Sequence, residues 1–216
     1  MNKDLLLRRG TPEDGEDFSH LILLSYPTFF PVVFGAEAKS LLKSLFRYRH
    51  NLFSFEHSHF IEVHGRNAGM ALSFDSRAEK QERLRTGILL FQHMKVRLLL
   101  QLPQLLKADS LLGKLGKSTY YISNIAIYPE YRGQGLGTRL LMKAEEQARG
   151  QGDDRITLDV EVDNQDAIRL YQRMGYSVIG ESGSIAGGGK IHTLSRMSKE
   201  ILPCPRRRLL APASAR

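Results

Sequence analysis

The chain has no tryptophan, one cysteine and no long uncharged apolar run. A single thiol can neither close a disulfide within the chain nor complete a metal quartet, and Cys204, set between Pro203 and Pro205, reads as inert. The most apolar stretch, residues 96–106, is broken by Arg97 and Pro103. It falls short of the roughly 18 uncharged residues that a bilayer span requires. The opening residues place only three leucines ahead of Arg8 and Arg9, too few for the apolar block of a secretion signal. A cytoplasmic protein without membrane association is therefore expected.

The remainder has the composition of a folded domain: 216 residues, 42% apolar and 25% charged, which excludes a wholly disordered chain or a collagen-like rod. Its charge is unevenly placed. Of the formal net +8, residues 77–117 hold nine Lys or Arg against three acids and residues 201–216 hold four arginines, so everything else sums to −2. No basic stripe with interleaved aromatics crosses that near-neutral part, and specific nucleic-acid binding is not expected. The segment 201–216, rich in Pro, Ala, Ser and Arg, has little apolar side chain to bury. It reads as a mobile basic tail behind a single domain over residues 1–200.

Hydrophobic spacing predicts a strand at 4–8, helices at 12–25 and 36–50, and an antiparallel hairpin of 59–64 with 68–74. Ala38, Leu41, Leu42 and Leu45 mark the buried face of the second helix. Residues 78–117 then show helical spacing at Leu84, Ile88, Phe91 and Lys95, which reads as a helical insertion before the fourth strand. Such an insertion either covers a sheet edge or forms a dimer contact, or it walls a substrate pocket. A strand at 119–128 leads through a glycine-rich turn into a helix ending near Arg149, and residues 156–162 alternate apolar with polar. Asn164 can cap a helix that ends before Gly175, and strands at 176–180 and 191–197 close a mixed α/β order. His57, His59 and His64 lie close together, but no carboxylate or cysteine completes an evident ligand set, so no metal is expected.

Chemistry concentrates in the turn Arg132-Gly133-Gln134-Gly135-Leu136-Gly137. A strand passing through glycines into a helix aims backbone N–H groups and the positive helix end at one point, which attracts phosphate. The spacing is not that of a dinucleotide fingerprint, because Thr138 stands where a third glycine belongs, and no Gly-Lys-Ser/Thr of a P-loop follows. The turn instead resembles the acetyl-coenzyme A site of GCN5-related N-acetyltransferases (GNAT), whose signature is Gln/Arg-x-x-Gly-x-Gly/Ala after a strand. A second part of that family's pattern follows in order: Asn164 to Tyr171, then Gly175-Tyr176, like the family helix with an asparagine near the cofactor and a tyrosine seven residues on.

The resemblance covers residues 119–182. It implies the GNAT (acyl-CoA N-acyltransferase) fold, a central mixed twisted sheet flanked by helices, whose fourth and fifth strands splay around pantetheine. It further implies an enzyme that transfers acetyl from acetyl-CoA directly to a primary amine, on a small molecule or a protein, without metal. Ile125, Ala126 and Ile127 would offer main-chain contacts to pantetheine and the acetyl group, the Ile127 amide serving as oxyanion donor. Arg132, Gly133, Gln134, Gly135, Leu136, Gly137 and Thr138 would hold the pyrophosphate, and Asn164 would cap its helix while its amide reaches the cofactor. Tyr171 is the implied acid for the leaving thiolate, since a phenol stays protonated at neutral pH. Asp159, then Glu161, are the base candidates, with water relays able to replace them. The rival readings are a noncatalytic acyl-CoA-binding or sensing domain of the same fold and a basic nucleic-acid-binding module; a homodimer is expected.

Overall fold

The computed structural model describes residues 5–95, 100–106, 115–187 and 190–201. The basic tail beyond Ile201, Cys204 and much of the second half of the insertion lie outside the described residues. A seven-stranded sheet runs in the order β1-β2-β3-β4-β5-β7-β6. The strands are β1 (Leu5–Arg9), β2 (Ser58–Val63), β3 (Arg66–Asp75), β4 (Thr119–Ile127), β5 (Arg155–Glu161), β6 (Ser177–Gly187) and β7 (Lys190–Glu200). Every neighbouring pair is antiparallel except β4 with β5, which makes the sheet mixed.

The helices are α1 (Gly15–Ser25), α2 (Phe29–Phe34), α3 (Ala38–Arg47), α4 (Ser76–Met94), α5 (residues 100–106), α6 (Leu136–Gln151) and α7 (Gln165–Arg173). Strand alternation divides the core between the two faces of the sheet. Phe60, Met70 and Leu72 pack with α1, α2 and α3, whereas Ile61 and Ala71 pack with Leu136 and Leu140 of α6. Further along the sheet, Ile156, Leu158 and Val160 of β5 pack with Leu141, Ala144 and Ala148 of α6. Both faces of the sheet are thus covered, one by the early helices and one by α6.

The differences from the sequence expectations have local causes. The helix expected to reach residue 50 stops at Arg47, where the Asn51 amide donates to the carbonyls of Leu45 and Tyr48 at 3.1 and 2.7 Å and closes the helix end. Helix α2 has no counterpart in the sequence reading. Six residues are too few to show a period, and Pro31 is tolerated because it lies in the first turn, where the missing N–H has no partner anyway. The final hairpin is longer than its apolar pattern suggests, because register shifts at Val178/Gly180 and Glu181/Gly183 break the alternation. The described parts of the insertion are largely helical, in α4 and α5. The outer face of α4 leaves Leu84, Ile88 and Phe91 exposed. No described helix is long and apolar enough to cross a membrane.

His57 and His59 are engaged by neighbouring side chains, and His64 is exposed. His57 Nε2 lies 2.7 Å from a carboxylate oxygen of Glu82, while buried His59 pairs its Nε2 with the amide of Gln147 at 3.2 Å. Among the described residues, no three metal-ligating side chains are grouped to hold an ion. Burial first, then nearby Lys143 and Arg9, pushes His59 down to about 4. The unfolded chain therefore takes up a proton near pH 6.5 that the folded chain refuses until about pH 4, and stability is lost as pH falls through that window. His59→Gln is expected to flatten this acid loss, seen as a smaller drop in Tm between pH 7 and 4.5 than in the wild type.

Candidate active site

Strands β4 and β5 share hydrogen bonds only from Thr119↔Arg155 to Ile122↔Leu158. Beyond that point each stays with its other neighbour: β4 follows β3 to Gly69↔Ile127, and β5 follows β7 to Glu161↔Leu194. A bulge sits where they part, since Leu72 faces Asn124 while Ser73 faces Ile122, leaving Ser123 as the extra residue. An extra residue bends its strand and sharpens the local twist, which here opens a gap in the middle of the sheet. The Tyr128 amide donates to Ala68 of β3 at 2.9 Å. By alternation the Ala126 amide also faces β3, and those of Ile125 and Ile127 face the gap.

The glycine turn lies at one end of this gap. Gly133 and Gly135 have φ of +75° and +74°, the left-handed region that glycine enters without strain, and Gly135 is the N-cap of α6. No atom lies within 4 Å of where a Cβ would stand on either residue, so both face open groove. The groove is lined by Ile125, Ala126, Ile127, Arg132, Gly133, Gly135, Leu136, Gly137, Thr138 and, from α7, by Asn164, Arg169, Tyr171 and Arg173, with a volume of about 650 Å³. Gln134, expected among the phosphate-holding residues, is exposed and does not line it. Arg132 is exposed and donates to the Ile127 carbonyl at 3.2 Å, which ties the turn to the strand end. Arg169 and Arg173 add positive charge that sequence reasoning did not single out, although their spacing on one short helix was visible. The N–H groups, the open glycine positions, Arg132 and Arg173 fit a diphosphate, while Arg169 is paired with Asp166 of the same groove.

Helix α7 brings Tyr171 to the gap. Asn164 caps the helix by accepting from the Ala167 amide at 3.2 Å, which leaves its amide group facing the groove. Ala167, Ile168, Tyr171 and Met174 form the half-buried face of α7 against the core. The Tyr171 ring packs on Tyr176 with centroids 6.1 Å apart, and its hydroxyl bonds to none of the described residues. Burial pushes its phenol up to about 12.

A narrow channel of about 60 Å³ continues from the groove through the gap, past Ser123, Asn124, Ile125, Asp159, Glu161 and Tyr171. Asn124 donates to Ser25 Oγ at 2.7 Å and accepts from Ser123 at 2.8 Å, which fixes the end of α1 against the bulge. Asp159 is buried. It receives Arg196 through Nε at 3.0 Å and Nη2 at 2.9 Å, and the Tyr121 hydroxyl at 2.9 Å. The Tyr26 hydroxyl donates to its main-chain carbonyl at 2.7 Å. Burial, with Asp159 nearby, holds both of these phenols well above their ordinary value, so they remain neutral donors. Tyr26, Tyr121 and Arg196 escaped the sequence reading; Arg196 is the direct cross-strand neighbour of Asp159, a relation that depends on the register. On the far side, Tyr26, Ser123, Asn124 and Asp159 also border an apolar cavity of about 410 Å³ beneath α2, α4 and α5. Groove, channel and cavity therefore share walls where the two strands part.

This arrangement has known counterparts, and the acetyltransferase (GNAT) family pattern matches residues 22–176. The chain belongs to that family. One curated relative, N-alpha-acetyltransferase 30 of Schizosaccharomyces pombe, is 41% identical over 56 residues, 26% of this chain and 37% of that protein. The chain thus spans little more than a third of the length of this relative. A crystal structure of an acetyltransferase shares the fold with a TM-score of 0.66 at 23% identity, covering 91% of this chain and 99% of the other. A Salmonella typhimurium protein solved with its cofactor acetyl-CoA has a TM-score of 0.57 at 16% identity, covering 99% of this chain and all of that one. These likenesses establish the GNAT fold for the mixed sheet and its splayed centre.

Proposed function

We propose that this GNAT chain is an acetyl-CoA-dependent N-acetyltransferase that passes acetyl directly to a primary amine. The observation that carries the reading is the gap between β4 and β5, where a phosphate-cradling groove and a separate cavity share walls with the channel. A noncatalytic acyl-CoA-binding domain has no use for the second cavity.

Bound acetyl-CoA supplies a thioester whose carbonyl carbon accepts the amine, the C–N bond forming as the C–S bond breaks. The amides of Ile125 and Ile127 point into the gap, and Ile125 alone of the two also borders the channel. This gives the carbonyl oxygen to Ile125 and a pantetheine amide to Ile127, a shift of one strand repeat from the sequence expectation. A fixed donor at such an oxygen is worth about 2.7 to 4 kcal/mol. Tyr171 donates its hydroxyl proton to the departing sulfur. Asp159 holds the channel in shape, because its carboxylate oxygens are already taken up by the Arg196 guanidinium and the Tyr121 hydroxyl. Glu161, half-buried on the same strand face, accepts the amine proton directly or through water. Glu161→Gln is expected to lower kcat/KM by about 10-fold or more at pH 7, with the deficit shrinking as pH approaches the pKa of the amine itself. Equal turnover across that range would transfer the role of base to solvent.

The exposed apolar side chains of Leu84, Ile88 and Phe91 support a homodimer through α4, which light scattering checks. Calorimetric titration with acetyl-CoA, then acetyl-dependent thiol release across a panel of amines, tests the reading. No cofactor binding would end it.

A further inference from the structure

The cavity beyond the channel has a definite chemical character. Its body is aromatic and aliphatic, with Phe29, Phe30 and Phe34 from α2, Phe53, Phe74 and Leu102 among its walls. Among the described residues its charged side chains are Glu79, Arg83 and Asp159, with Tyr26, Thr86, Tyr121, Ser123 and Asn124 as the other polar groups. At the channel end are Tyr26, Asn124 and Asp159; at the other, Glu79 and Arg83 of α4. Both carboxylates are already engaged by guanidinium groups, Glu79 by Arg83 at 2.6 Å and Asp159 by Arg196 at 2.9 Å. Among the described residues, a second ammonium carried along the cavity would surrender its water to aromatic rings without gaining an unengaged counter-charge, which opposes polyamines and aminoglycosides.

Gly87 adds an independent observation. It lies in the middle of α4, where glycine is disfavoured, and it lines the cavity. No atom comes within 4 Å of where its Cβ would stand, so no close packing calls for glycine there. Gly87 is itself exposed, which places it at the mouth of the cavity, and a side chain there would narrow the entrance.

We propose that the acceptor is a primary monoamine on an extended apolar body, alkyl or aryl, with its nitrogen at the channel and its body between α2 and α4. This assignment rests on the acetyltransferase reading above. Apolar transfer then sets the affinity series: each methylene contributes about fourfold until the cavity is filled.

Butylamine, hexylamine, octylamine and 4-phenylbutylamine are titrated calorimetrically into the full-length protein, with and without coenzyme A, beside spermidine and kanamycin. Affinity is expected to climb with chain length, with spermidine and kanamycin at least tenfold weaker than octylamine, and acetyl-dependent thiol release should follow the same order. Gly87→Leu, which sets a side chain across the mouth of the cavity from a better helix former, should weaken octylamine at least tenfold, raise Tm, and leave acetyl-CoA affinity unchanged. Gly87→Ala should fall between, which keeps the comparison informative if the larger residue perturbs folding.

A flat chain-length series, a preference for polycations, or wild-type octylamine affinity in Gly87→Leu overturns the proposal. So does octanoyl-CoA binding that octylamine competes away, since the cavity would then house the acyl chain. Absence of acetyl-CoA binding alongside an intact amine series would instead remove the acetyltransferase reading alone.

Discussion

Gly135→Glu should reduce acetyl-CoA affinity by about 100-fold or more. Two costs act together. A residue with a Cβ at φ +74° pays about 1–2 kcal/mol of left-handed strain at the N-cap of α6, so the free turn relaxes out of that conformation and binding has to restore it. The added carboxylate also projects into the open groove, where the helix amides and Arg132 would otherwise face phosphate, and like charges at that distance cost a further kcal/mol or so. A factor of ten corresponds to about 1.4 kcal/mol, so the sum approaches two decades. Gly135→Ala carries the strain without the charge and is expected to lose about tenfold. Calorimetry separates the two, with circular dichroism confirming that both variants fold. Wild-type affinity in Gly135→Glu would mean that the turn does not hold the diphosphate, and the functional reading would fall with it.

Tyr171→Phe should lower kcat by about 10² or more while acetyl-CoA affinity stays within two- to threefold of wild type. The split follows from what the side chain touches. Its ring packs on Tyr176 and the core face of α7, contacts that phenylalanine retains, whereas the hydroxyl bonds to none of the described residues and is lost without orphaning a partner. Tm should therefore change little. Burial holds this phenol near 12, so it stays protonated across the working range, and the wild type should show no alkaline fall in kcat from this group below about pH 11. An alkaline limb near pH 9 that vanishes in Tyr171→Phe would assign the hydroxyl a different, more acidic setting. Unchanged turnover in the variant would remove it from the chemistry.

Both residues stood out in the sequence, Gly135 in a glycine turn before a helix and Tyr171 through the resemblance to the family's helix. The left-handed glycines ahead of an amphipathic helix, and Asn164 seven residues before Tyr171, act through local backbone geometry that a short window of residues encodes. The same holds for α3, whose buried face of Ala38, Leu41, Leu42 and Leu45 was visible as a period. The base was less legible. Asp159 and Glu161 look equivalent along β5, two residues apart on one face. Their environments diverge only because β7 sets Arg196 directly across from Asp159, while Tyr121 reaches it from β4.

The linear chain therefore specified the mixed α/β class, the glycine turn and the helix that carries Tyr171, since helix caps, glycine turns and hydrophobic periods are short-range. Folding alone settled where β4 leaves β5, which acid is locked in an ion pair, and how α2 and α4 enclose a cavity next to the gap. Strand register and helix packing join residues more than thirty positions apart, and side-chain environments of that kind leave no periodic trace in the order of amino acids.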